Sequence, residues 1–178
     1  MAFKDRIPKS GEIVLVFAVN VVILYSFSLW FSFQDFSQNW ILYLDIADIL
    51  GLFAYAIIGA FIESLLMIVF LIFMCLLLPS SITRGRFVSY GTILTLTFLT
   101  ALIVRDGSYV GISALMRNNY LAYSVLTIGT LIPALAVEYT KKAKSAIEAL
   151  ADRCVIFLYF YMPLTVFAVI IVAMRNLS

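Results

Sequence analysis

Glu63 stands alone among the ionisable side chains in lying well inside an apolar stretch, GAFIESLLMIVF. A charge at mid-bilayer costs about 2.5–3.5 kcal/mol on insertion scales. Glu63 is therefore expected to face protein or water, or to hold its proton. Its neighbours point inward. Ala56, Gly59, Ala60 and Glu63 share one sector of a helix, a small-residue face that lets another helix approach closely. Two chemistries fit such a group. As an ion or proton site it would serve transport. As an interhelical anchor it would pair with Arg105, at the outer end of the next apolar run, or with a hydroxyl. The anchor is the simpler role, and a contact with another subunit is a third.

Few other groups offer chemistry. Asp35, Asp45 and Asp48 share one connection, the last two a helical turn apart. Such a pair can hold a divalent cation through waters, but carboxylates on a surface helix are more often solvated, so no metal site is expected. Histidine is absent, which removes bis-imidazole haem ligation, the HExxH zinc site and the Ser–His pair. Cys75 and Cys154 sit in apolar runs with no CxxC partner. A GxxxxGK[ST] phosphate loop is missing as well. The expectation is a protein without cofactor and without enzyme activity.

The elements that position these groups follow from composition. Of 178 residues, 64% are apolar and 12% charged, with mean hydropathy +1.08. Soluble domains run roughly 45–50% apolar and about 25% charged. A soluble enzyme, a disordered tail and a nucleic-acid-binding module are excluded, and a net charge of +2 calls for no polyanionic partner. A bilayer core ~30 Å thick takes about 20 residues at 1.5 Å rise. Five runs qualify: 13–33, 49–78, 87–104, 120–137 and 154–174. The second, at about 45 Å, exceeds one upright span, so it tilts or lays its first two turns along the surface. The first is too long for a signal-peptide core and reads as a retained anchor.

Lysine and arginine set the orientation, since short cytoplasmic loops retain them. With the N-terminus inside, nine of the twelve fall in cytoplasmic segments and three outside. The chain is expected to be all-α: one membrane domain over 1–178, a polytopic integral helical bundle of five transmembrane helices in a cell membrane. Its N-terminus is cytoplasmic and its C-terminus external.

Two connections are expected to form short amphipathic interfacial helices. Residues 35–48, external, put Phe36, Trp40, Tyr43 and Leu44 at helical spacing, and Trp and Tyr favour the headgroup level. Residues 140–153, cytoplasmic, place Ala143, Ala146, Ile147, Leu150 and Ala151 on one face. Lys141, Lys142, Lys144 and Arg153 there meet anionic lipid, and Lys144 and Glu148 form an i, i+4 pair. Equally, this segment continues the fourth span as one helix. Thr127, Thr130 and Ala134 form a packing stripe on that span. Thr92, Thr95, Thr97 and Thr100 spread around the third span and are expected to bond their own carbonyls. Asn20 in the first needs a partner that the sequence does not name.

A polar route through one subunit is too sparse for a hydrophilic substrate. The expected function is a non-catalytic membrane protein, a structural or accessory subunit or anchor of a membrane complex. Its partners are the lipid bilayer and another membrane-protein subunit or itself. A homo-oligomeric ion channel or small transporter that rings Glu63 around a pore is the alternative.

Overall fold

The computed structural model describes residues 8–77, 85–106, 128–129, 132, 136–137 and 140–177, with backbone alone over 98–106. Among the described residues there is no strand. Helix α1 spans Ser10–Asp35, α2 Ile46–Leu77, α3 Phe87–Asp106 and α4 Lys141–Leu177. Three continuous rods are long and apolar enough to cross a membrane: Ser10–Tyr43, Ile46–Leu77 and Lys141–Leu177.

The first rod corrects one expectation. In place of a separate interfacial helix over 35–48, α1 runs on through a π-turn, Phe36–Trp40, and a final turn, Ile41–Tyr43. No Gly or Pro occurs between Glu12 and Leu50, so nothing local ends the helix. One surplus residue is absorbed as a π-bulge. The chain reverses only at Leu44, whose backbone is extended (φ −121°, ψ 148°). Trp40 packs edge-on against Phe53 of α2 at 5.5 Å between centroids. Tyr43 beyond it is 82% exposed.

Helix α2 is likewise one unbroken rod, about 48 Å long by helix rise. In α4 the segment 140–153 and the fifth apolar run merge into a single 37-residue helix. The sequence from Lys141 to Met162 holds neither Gly nor Pro, so the amphipathic stretch continues straight into the apolar one. The separate cytoplasmic interfacial helix is thereby replaced by a helical extension of the fifth run. Lys144 and Glu148 do pair along it, at 3.7 Å, and Lys141, Lys142 and Arg153 are exposed.

Two core layers pin the directions. Val16 and Val19 of α1 meet Ile68, Leu71 and Cys75 of α2, Phe87 and Val88 of α3, and Ala151 of α4. Further along α1, Val21, Leu24 and Tyr25 meet Ala54, Ile57 and Ala60 of α2, with Tyr161 and Ala168 of α4. Residue numbers rise together in α1 and α4 and fall in α2, and Val16 beside Gly91 with Asn20 beside Thr95 makes α3 rise with α1. Helices α1, α3 and α4 are thus parallel and α2 is antiparallel to them.

Polar contacts close both ends. Arg175 donates to the Asp48 carboxylate at 2.6 Å. At the other end Lys144 Nζ donates to the Gly85 carbonyl at 2.6 Å, in a turn where Gly85 adopts φ 70°, open to glycine without strain. Lys144 and Arg175 stand about 46 Å apart along α4, close to the about 40–45 Å of a bilayer with its headgroups.

Candidate functional site

Glu63 does not face the bundle. Its side chain is exposed, and it has no hydrogen-bond or ion-pair partner among the described residues. The reason lies in the register of α2. Its buried positions are Gly51, Ala54, Ile57, Ala60, Ser64, Ile68, Leu71 and Cys75, one stripe at helical spacing. At 100° per residue the midline of that stripe lies about 100–120° from Glu63. Of the small-residue sector, only Ala60 joins the core, at 2% exposure. Ala56 is half-buried and its carbonyl accepts from Ser28 Oγ at 3.1 Å. A Cβ added at Gly59 would meet nothing within 4 Å. Among the described residues Glu63 is thus an exposed carboxylate beside an open glycine.

The expected partner, Arg105, lies in α3 with a side chain outside the described residues. Its height along the bundle is informative. Counting from the Asp48–Arg175 contact, Glu63 sits level with about residue 160 of α4, and hence with Asn20 and Thr95. Arg105 is about 15 Å further along α3 than Thr95. Thr127, Thr130 and Ala134 also lie outside the described residues.

Two pairs of inward polar groups join helices. Asn20 is fully buried, and its amide meets Thr95 of α3. Thr95 has one hydroxyl hydrogen and a second acceptor, the Gly91 carbonyl at 2.8 Å. One hydrogen cannot serve both. With the Asn20 amide turned over, Nδ2 donates to Thr95 while Thr95 donates to Gly91, and both bonds are satisfied. Thr97 bonds its own Ile93 carbonyl at 2.8 Å, as expected. Thr92 does not: its hydroxyl and that of Ser89 are buried without a partner.

A second junction was not anticipated from sequence. Tyr25 of α1 is fully buried, with its hydroxyl 2.5 Å from Thr165 Oγ1 of α4. Thr165 donates to the Tyr161 carbonyl at 2.8 Å, so Tyr25 is the donor to Thr165. The Tyr25 and Tyr161 rings lie 4.8 Å apart, tilted by 47°. Tyrosine and threonine inside apolar runs were the available signal, but their partners are 140 residues apart.

The acidic connection also resolves. Asp48 pairs with Arg175, and no group of three or more His, Cys, Asp or Glu is placed to hold a metal among the described residues. Cys75 and Cys154 are free thiols, the first buried and the second half-buried. No family model matches the chain, and no curated protein or solved structure matches it either.

Proposed function

We propose that this chain is a non-catalytic integral membrane protein, a structural or accessory subunit or anchor of a membrane complex. One observation carries the reading. Asn20–Thr95 and Tyr25–Thr165 join helices inside the bundle, while α2 turns apolar side chains and one carboxylate outward. A face of that kind belongs to a protein that makes contacts within the membrane.

The proposed threading is five spans, N-terminus cytoplasmic and C-terminus external, in a cell membrane. The described helices support it. Helices α3 and α4 start at the same end, as a further span between them would require. The apolar run 120–137 falls in that interval. Reporter fusions at Gly107 and at the C-terminus test the orientation, and a cytoplasmic signal at either would overturn it.

Affinity purification in a mild detergent, with mass spectrometry and mass photometry, tests the role. A stoichiometric second protein is expected. A second reading, a homo-oligomeric ion channel or small transporter, draws on the same outward Glu63, which is where a ring of copies would need it. A clean homo-oligomer whose liposome flux is lost in Glu63→Gln would replace the subunit reading with that one.

A further inference from the structure

Ile62, Glu63, Leu66 and Phe70 form an exposed face of α2 at helical spacing, with Ile62 at 50%, Leu66 at 64% and Phe70 at 51% exposure, and half-buried Gly59 adjoins it one turn before Glu63. Glu63 lies about 25 Å from the Ile46 end of the helix and about 21 Å from the Leu77 end. A carboxylate thus stands at the middle of an apolar rod, turned away from its own bundle. Beside it Gly59 offers open backbone, where a neighbouring helix can come close.

We propose that the Gly59–Glu63 face of α2 docks a transmembrane helix of a different protein, one that carries a lysine or arginine near mid-span. This rests on the subunit reading and names the partner's chemistry. A carboxylate facing hydrocarbon is costly, and intramembrane ionisable groups pair with one another or with backbone carbonyls; for a carboxylate the strongest such pairing is with a cation.

Among the described residues, no cation of a second copy stands at the level of Glu63. All twelve of its Lys and Arg lie outside the five apolar runs. Copies in one bilayer share an orientation, so a second copy brings each cation to the same depth as the first. Along α4 the nearest, Arg153, is about 11 Å below the level of Glu63, and Arg105 on α3 is about 15 Å above it. We therefore look to another chain for the complementary cation.

The test places a photo-crosslinking amino acid at Ile62 or Leu66 in the full chain, in its native membranes, with Phe160 on the exposed side of α4 as control position. Crosslinked peptides are sequenced by mass spectrometry. The expected product is one heterologous membrane protein, joined through a transmembrane segment with Lys or Arg in its central third. Its yield should fall at least tenfold in Glu63→Gln and return when Glu63→Lys is combined with the partner's basic residue changed to Glu. Because Glu63 has no partner among the described residues, Glu63→Gln should elute monodisperse, which separates lost docking from lost folding. An adduct of twice the chain's mass, a partner helix without a central cation, or unchanged yield in Glu63→Gln would each overturn the proposal. No adduct at either position, while a stoichiometric partner still co-purifies, defeats this docking face and leaves the subunit reading standing. No co-purifying partner at all defeats both.

Discussion

The Tyr25–Thr165 junction allows a test in which the order of two losses matters more than their size. Thr165 has given its hydrogen to the Tyr161 carbonyl, so Tyr25 donates and Thr165 accepts. Tyr25→Phe removes the donor and keeps the ring against Tyr161 at 4.8 Å. What is lost is one interhelical hydrogen bond, on average about 0.6 kcal/mol in membrane proteins and at most about 1.7. Thr165→Val has a different consequence. It leaves the phenol hydroxyl of a fully buried tyrosine with no acceptor, a desolvated donor worth about 1–3 kcal/mol. The double variant has no stranded group, so its loss should return close to that of Tyr25→Phe alone. Reversible unfolding in mixed micelles with rising SDS, followed by the fluorescence of Trp30 and Trp40, measures all four corners of the cycle. A gap of 1 kcal/mol is roughly fivefold in the unfolding constant. If Tyr25→Phe costs more than Thr165→Val, or the two losses simply add, the donor assignment is wrong.

Three further outcomes are expected. Gly91→Ala places a methyl 2.8 Å from Val16 Cγ1 and should cost about 1–3 kcal/mol by overpacking, with part of the loss recovered in Val16→Ala; thermal melting in detergent reads both. Gly59→Ala meets nothing within 4 Å, so the purified chain should be unchanged or gain about 0.5–1 kcal/mol of helix stability in the same assay. Asp48→Asn breaks the contact to Arg175, but both side chains are more than two-fifths exposed. Its cost should stay below about 1 kcal/mol and shrink further in high salt, read by the SDS titration at two ionic strengths.

The positions of the long helices were legible because a bilayer imposes a length, and runs of about 20 apolar residues are counted directly. The Lys144–Glu148 pair and the Thr97 back-bond were legible because their partners lie four residues away. Facing was not. A helix that is apolar all round carries no amphipathic signal to say which side is buried. For Glu63 the cost of a charge in lipid suggested an inward position. The register of Ala54, Ile57, Ala60 and Ser64 turned it out instead. Continuity of α1 and α4 was missed for a related reason: a change of composition at 34 or 154 is not a change of backbone unless Gly or Pro enforces one. Asp48–Arg175, Asn20–Thr95 and Tyr25–Thr165 join elements far apart in the chain, and local spacing does not see them.

The separation between Tyr25 and Thr165 also sets a timetable for biogenesis. Helix α1 is made first, yet the acceptor for its phenol is encoded 140 residues later and the partner of its Asn20 amide 75 residues later. At 5–20 residues per second these gaps are about 7–28 s and about 4–15 s. During that interval α1 is an unfinished surface, an amide and a hydroxyl turned toward whatever occupies the place of α3 and α4. A ribosome that stalls after α3 leaves half of that surface open. Such truncated chains should be degraded rapidly, whereas co-expressed residues 140–178 should protect them by completing the Tyr25 side.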